Sequence, residues 1–319
     1  MRYKKLGKTG IDVSAIGIGT WQMGNGSHWN ANLNDRTSID TIRTAVDHGI
    51  NLIDTAHVYG AGHSETVVGK EIGRDKVVLT TKVGIWYEPD GVYNEATKCL
   101  KCNERVVMTQ IEESLKRLQT DYLDFYQVHY AGTTPIEEST AAMQKLVMQG
   151  KIRHWGVSNY SYDQIEKVIS LGYVCSYQPQ YSLLYRENQK SIDLCAKNNI
   201  GILTYGSIAG GILSGKYRTE EDCPKDGRTQ TYPFYHGEAF KKAMKLVDVL
   251  EMIANDHQKP ISHVAINWVN QQPGITTSLV GMKTPEQAIS NAEAGNWELS
   301  KEELMLINST YEKLFGDQQ

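Results

Sequence analysis

Eight short runs rich in β-branched residues, at 15–20, 51–55, 77–82, 124–129, 152–158, 175–180, 201–205 and 276–281, alternate with amphipathic or turn-like stretches along the chain. A strand followed by a helix and then another strand reads as a βα unit, and such units in series build a parallel sheet. Eight of them predict an α/β protein of the (β/α)8, or TIM-barrel, type. The 319 residues would accommodate two average domains or one large barrel. No linker, low-complexity tract or charge run interrupts the series, so a single domain over 1–319 is expected.

Helical period is clearest at 103–118, where Val106, Val107, Ile111, Leu115 and Leu118 share one face and Arg105, Glu112, Glu113 and Lys116 the other. Ahead of the first unit, segments 3–6 and 11–14 flank Gly7-Lys8-Thr9-Gly10, which reads as a β-hairpin able to plug the bottom of the barrel. Two stretches fall outside the serial plan: a long connection at 220–237 and an amphipathic tail at 296–313. Insertions of this kind cap or gate a site.

Thirty-three basic and thirty-seven acidic side chains leave a net charge of −4, and neither sign gathers into a block. That argues against nucleic acid and anionic membrane as partners. No segment approaches the roughly 18 apolar residues of a membrane span, and no apolar stretch follows the basic start, so a cytoplasmic protein is expected. Five cysteines, an odd number, are scattered at positions 99, 102, 175, 195 and 223, which is no disulfide framework. Cys99-Leu100-Lys101-Cys102 is a CxxC without the second pair or nearby His that a structural zinc needs. No metal is expected.

A barrel of this type builds its active site at the carboxyl ends of the strands. Those ends carry Trp21-Gln22, Asp54 and Tyr59, Lys82, His129, Ser158-Asn159, Gln180, Tyr205-Gly206-Ser207 and Met282-Lys283. Singly, each polar residue has a bland explanation: Asp54 as a helix cap, Tyr59 as packing, Lys82 in a surface pair, His129 as a satisfied core imidazole. Together at the mouths of three consecutive strands they must partner one another to be buried. Their joint chemistry suits delivery of a proton to a carbonyl oxygen. A tyrosine with pKa of about 10 is a reluctant acid; a lysine cation would lower that pKa, and an aspartate would fix the lysine. His129 would donate a hydrogen bond to the same oxygen. The set lacks a hydride, which a nicotinamide cofactor would supply.

The chain resembles the aldo-keto reductase family over nearly its whole length. The resemblance is carried by Gly19-Thr20-Trp21, Asn51-Leu52-Ile53-Asp54-Thr55-Ala56-His57-Val58-Tyr59-Gly60, Thr81-Lys82 and Leu123-Asp124-Phe125-Tyr126-Gln127-Val128-His129. Gly150-Lys151-Ile152-Arg153, Gly156-Val157-Ser158-Asn159, Gln180-Tyr181-Ser182-Leu183-Leu184, Leu213-Ser214-Gly215-Lys216-Tyr217 and Thr284-Pro285-Glu286-Gln287 follow in family order. The runs Gly60-Ala61-Gly62-His63-Ser64-Glu65 and Gln119-Thr120-Asp121-Tyr122 resemble the bacterial general-stress and inositol-operon branch. The resemblance implies Tyr59 as general acid, Lys82 and Asp54 as its tuning groups and His129 as the group orienting the carbonyl. It implies Ser158, Asn159 and Gln180 at the cofactor carboxamide, Tyr205 stacked on the nicotinamide and Ser207 at the pyrophosphate. Further cofactor contacts are expected from Thr20, Trp21, Gly206, Ile208, Gly210, Gly215, Lys216, Gly281, Met282, Lys283, Gln287 and Asn291. At the adenosine end, Ser290-Asn291 stands where the family often has Glu-Asn.

The implied reaction is NADP(H)-dependent reduction of a small polar aldehyde or ketone, sugar-derived or α-dicarbonyl, with NAD(H) accepted at lower preference. Two alternatives are a sugar or polyol dehydrogenase working oxidatively with the same residues, and a cofactor-sensing subunit of the same fold with little turnover. Lys283 and Thr284, ahead of a helix opened by Pro285, suit a 2′-phosphate, while Gln287 stands where many relatives have arginine. Loop aromatics and polar groups, namely Gln22, Trp29, His57, Trp86, Tyr130 and Tyr232, are the candidate substrate pocket. Two motif matches fail. Gly210 to Tyr217 has P-loop spacing, but Tyr217 stands where Ser or Thr must reach Mg²⁺. Gly60, Gly62 and Glu65 fall one glycine short of a dinucleotide fingerprint.

Overall fold

The computed structural model describes residues 1–25, 33–70, 73–88, 91 and 95–316. Its strands are β1 (Tyr3–Lys5), β2 (Asp12–Ser14), β3 (Ile16–Gly19), β4 (Leu52–Asp54), β5 (Val78–Val83) and β6 (Ile85–Tyr87). They continue as β7 (Lys98–Leu100), β8 (Leu123–Val128), β9 (Ile152–Ser158), β10 (Ser176–Gln178), β11 (Gly201–Tyr205) and β12 (Thr277–Gly281). Strands β3, β4, β5, β8, β9, β10, β11 and β12 close into a barrel in that order, every neighbouring pair parallel. All eight expected runs are therefore barrel strands.

The helices are α1 (Asp35–Asp47), α2 (His63–Gly69), α3 (Glu104–Leu118), α4 (Ile136–Met148), α5 (Tyr162–Ser170) and α6 (Gln189–Lys197). After them come α7 (Arg228–Thr231), α8 (Gly237–Asp256), α9 (Ile261–Asn270), α10 (Pro285–Ala294) and α11 (Lys301–Phe315). Side chains that bond the first free amides start several of them: Asn34 caps α1, Asn103 caps α3, and Ser161 and Ser300 form capping boxes on α5 and α11. On α3 the buried residues include Val106, Val107, Ile111, Leu115 and Leu118, the face set by its period. No described helix is long and apolar enough to cross a membrane.

Strands β1 and β2 pair antiparallel as the hairpin plug. Leu6 and Val13 from this hairpin pack with Leu52, Val78, Phe125, Cys175, Leu203 and Leu279 inside the barrel. Burying one such apolar side chain stabilises by about 1.5–3 kcal/mol, so this floor anchors the strand ends beneath the site. Gly17 makes room for it: a Cβ there would stand 2.7 Å from Leu279 Cδ2 and 3.0 Å from Leu52 Cδ2.

A second antiparallel ribbon, β6 with β7, was not legible as strands in the sequence and rises beside the mouth. It carries Cys99, whereas Cys102 lies buried just beyond, its thiol pushed up to about 12 by burial and by Glu138. That is the reverse of an activated thiol. The connection at 220–237 folds into α7 flanked by short 3₁₀ turns at Glu220–Asp222 and Pro233–Tyr235. The tail is α11, whose Phe315 ring meets Phe234 of that connection edge-on, centroids 6.3 Å apart.

Candidate active site

The carboxyl ends of the barrel strands open into a cleft of about 1090 Å³. At one end, β4 ends on Asp54 and β5 presents Lys82, pointing into the barrel by the strand's period of two. Lys82 Nζ donates to Asp54 Oδ2 at 2.6 Å and to Thr55 O at 2.8 Å, and lies 3.4 Å from Tyr59 Oη. Gln178 Nε2 reaches across from β10 to the other Asp54 oxygen at 2.9 Å. Lys82 and Asp54 are only 1% and 4% exposed. Burial pushes the carboxyl up and the ammonium down, and their mutual attraction opposes both shifts. Every oxygen and proton of the pair that the barrel can reach is engaged, which is what keeps a buried ion pair tolerable.

Tyr59 stands over this pair with its ring stacked on Trp21 at 5.7 Å and edge-on to His129 at 6.0 Å. The sequence led us to expect Lys82 to lower the Tyr59 pKa. In the free cleft the balance runs the other way: burial, then the Asp54 carboxylate and the phenols of Tyr130 and Tyr205, hold it well above the usual tyrosine value. Burial is the largest cause, and the Lys82 ammonium, 2.6 Å from Asp54 and 3.4 Å from the phenol, is engaged first by the carboxylate. Tyr59 is therefore a protonated donor at neutral pH. Burial, reinforced by Lys82 and Lys98, holds His129 well below the usual histidine range, so its ring is neutral. Asn159, at φ 57°, donates to the His129 carbonyl at 3.1 Å and to Ser158 Oγ at 3.1 Å, and accepts from Tyr205 Oη at 2.7 Å.

The glycine run after Tyr59 acquires a packing role. Gly60, at φ 60°, lies so close to Gly24 that a Cβ would overlap its backbone, and a Cβ on Gly62 would stand 2.7 Å from Arg117 Nε. Arg117 in turn pairs with the fully buried Glu65 at 2.7 Å, and Glu65 also accepts from Thr81 Oγ1 at 2.7 Å. This network backs the strand segment that carries Lys82.

At the far end of the cleft Lys216, Arg228 and Lys283 converge. Burial, then the charge of Arg228 and, behind Asp226's opposing pull, that of Lys216, lower the Lys283 ammonium. Arg228 is held by Asp226 at 2.7 Å and donates to Gly210 O at 3.3 Å and Tyr217 Oη at 3.0 Å. Between the two ends, Ser207 Oγ is buried with no hydrogen-bond partner among the described residues, beside Gly206 and Gly210, both at positive φ. An orphaned buried hydroxyl next to permissive backbone fits an anionic group such as a dinucleotide pyrophosphate.

Of the cofactor candidates, Gly215, Met282 and Asn291 do not line the cleft; all the others do. Gly215 backs onto Ile261, Met282 is fully buried and offers only its carbonyl to Gln22 Nε2 at 3.0 Å, and Asn291 sits on the buried face of α10. Gln287 lines the cleft with its Oε1 turned back to the Lys283 amide at 2.8 Å. Among the substrate-pocket candidates Gln22, Tyr130 and Tyr232 line the cleft, and Trp29 lies outside the described residues. His57 and Trp86 are corrections. His57 Nε2 is taken by Glu113 of α3 at 2.6 Å, and Trp86 points into the core while its neighbour Ile85 faces the cleft. Sequence reasoning missed Gln178, which reads as an ordinary strand interior, and Arg228, which lies in an aperiodic connection.

The model of the aldo/keto reductase family matches residues 15–312. This chain belongs to the aldo/keto reductase family. It is an oxidoreductase of that family and is similar to the aldo-keto reductase YhdN of Bacillus subtilis, at 38% identity over 99% of this chain and 96% of that protein. It is 33% identical to the NADH-specific methylglyoxal reductase of Escherichia coli, over 98% of this chain and 99% of that protein. The glycerol dehydrogenase of Gluconobacter oxydans superposes with a TM-score of 0.88 at 30% identity, covering 98% of this chain and 95% of that structure.

Proposed function

We propose that the protein is an NADP(H)-dependent reductase of small polar aldehydes and ketones, sugar-derived or α-dicarbonyl, and that its five free cysteines reflect a cytoplasmic setting. The observation that carries the reaction is the protonated Tyr59 phenol 3.4 Å from a lysine whose charge is fixed by a buried aspartate. Tyr59 gives its proton to the carbonyl oxygen, and Lys82 shifts its attraction onto the phenolate that forms. Asp54, Thr55 O and Gln178 keep Lys82 from following the departing proton. Neutral His129 donates a hydrogen bond to the same oxygen and sets the carbonyl's orientation. The nicotinamide supplies the hydride when bound. Ser158, Asn159, Gln180 and Tyr205 would hold its ring, and Ser207 with Gly206 and Gly210 the pyrophosphate.

Three cations at the far end support NADP(H) over NAD(H), in contrast with the NADH-specific Escherichia coli relative. The likeness to a glycerol dehydrogenase favours one second reading, in which the same residues run backwards with Tyr59 accepting the alcohol proton. A panel of glyceraldehyde, methylglyoxal, glycerol and a long-chain ketone with both cofactors tests this. The expected result is the highest kcat/KM for the two small carbonyls with NADPH. A far higher value for the long-chain ketone, or a preference for NADH, would overturn the assignment.

A further inference from the structure

The connection at 220–237 contains no strand, and α7 within it is four residues long. It nonetheless borders the middle of the cleft. Tyr235 Oη donates to Gly210 O at 2.9 Å, Arg228 Nη1 reaches the same carbonyl at 3.3 Å, and a Cβ on Gly210 would stand 2.8 Å from the Tyr232 ring. A segment of this kind holds one conformation only with contacts from outside it. Outside it stands a column of buried rings. The Arg186 guanidinium, whose Nε donates to Leu183 O at 3.2 Å, has its Cζ 4.4 Å from the Trp268 ring centroid on α9 and 3.6 Å from that of Tyr311 on α11. Tyr311 stacks on Phe315 at 5.1 Å, and Phe315 meets Phe234 edge-on at 6.3 Å. Along the chain Phe234 lies between Tyr232 and Tyr235, the two rings packed at Gly210.

We propose that Phe315, on the C-terminal helix, is a positioning residue for the dinucleotide: through Phe234 it holds the connection in the conformation that receives the pyrophosphate. Neither ring lines the cleft, so the effect runs through Tyr232, Tyr235 and Arg228. A loop already held in its binding conformation loses less freedom when the ligand arrives. Where the hold is weakened, the apparent dissociation constant rises in proportion as the receiving conformation becomes less populated. The seat in question is common to both nicotinamide cofactors, whereas Lys283 concerns the 2′-phosphate alone. The column therefore sets the affinity for NADPH and NADH together. This inference rests on the reading of Ser207, Gly206 and Gly210 as the place of the pyrophosphate, and adds that α11, from outside the cleft, decides how firmly that place is kept.

Phe315→Leu keeps an apolar side chain at a buried position and removes the ring; Phe234→Leu removes the other half of the contact. In the full-length protein each variant should raise the dissociation constants of NADPH and NADH alike by about fivefold, the scale of one aromatic pair. The double variant should lose no more than either single one, because both remove the same contact. The kcat at saturating NADPH should stay at the wild-type value. Without cofactor, trypsin should cut after the exposed Lys225 of the connection several times faster in both variants. Unchanged dissociation constants, even with a lower denaturation midpoint, would make the ring pair ordinary packing. Losses that multiply to about twenty-five-fold in the double variant would mean that the two rings act separately. Either result overturns the inference. The underlying reading is judged apart from it, by whether Ser207→Ala alone weakens both cofactors.

Discussion

The two ends of the cleft are built on different principles. At the reacting end Asp54, Lys82 and Gln178 stand on barrel strands, and His129 follows directly after one. The ion pair there is buried, and an apolar floor of Leu52, Val78 and Phe125 lies below on the same strands. At the far end Lys216, Arg228 and Lys283 stand on a turn, a long connection and a loop before a helix, and Arg228 depends on Asp226 and Gly210 for its placement. Strands fix side-chain positions to the tolerance proton transfer demands, and their neighbours exclude the water that would weaken a charge pair. On the proposed reading, loops give the cofactor's phosphate a site that is reachable from solvent. The comparison teaches that one barrel separates chemistry from grip: charges that act are buried and singly placed, and charges that hold are partly exposed and several.

If that division is right, mutations at the two ends should differ in kind as well as size. Lys82→Met leaves the Asp54 carboxylate buried with Gln178 as its remaining partner. We expect a loss of about 3–5 kcal/mol in denaturant unfolding, together with loss of turnover. Unfolding at wild-type denaturant concentrations would mean that the pair contributes nothing to the folded state. Lys283→Ala at the far end should leave stability and NADH affinity nearly unchanged. It should weaken NADPH about tenfold by titration, equivalent to about 1.4 kcal/mol. Equal weakening of both cofactors would remove the phosphate role from this end and erase the contrast.

The two ends also differed in how far they could be read from sequence. Strand period and serial repetition gave the barrel, and the strand ends then placed Asp54, Tyr59, Lys82 and His129 beside one another without any view of the fold. The hairpin plug was legible from the Gly7-Lys8-Thr9-Gly10 turn between two short segments, 3–6 and 11–14, that pair as strands. Gln178 was not, because an inward polar residue in a strand looks like its neighbours until the strand opposite is known. Arg228 was hidden in a segment with no period. His57 and Trp86 show the converse error: nearness to the mouth along the chain does not say which way a side chain turns. Trp86 alternates with Ile85 on β6, so one faces the cleft and the other the core, and Glu113 on α3 claims His57.

The central claim is that the phenol of Tyr59 supplies the proton while the rest of the cleft binds. The direct measurement is the steady-state reduction of glyceraldehyde by Tyr59→Phe alongside NADPH binding to the same variant. The account predicts a fall of about 10² to 10⁴ in kcat, with the NADPH dissociation constant unchanged. Wild-type turnover by Tyr59→Phe would contradict it, and with it the roles given to Lys82 and Asp54.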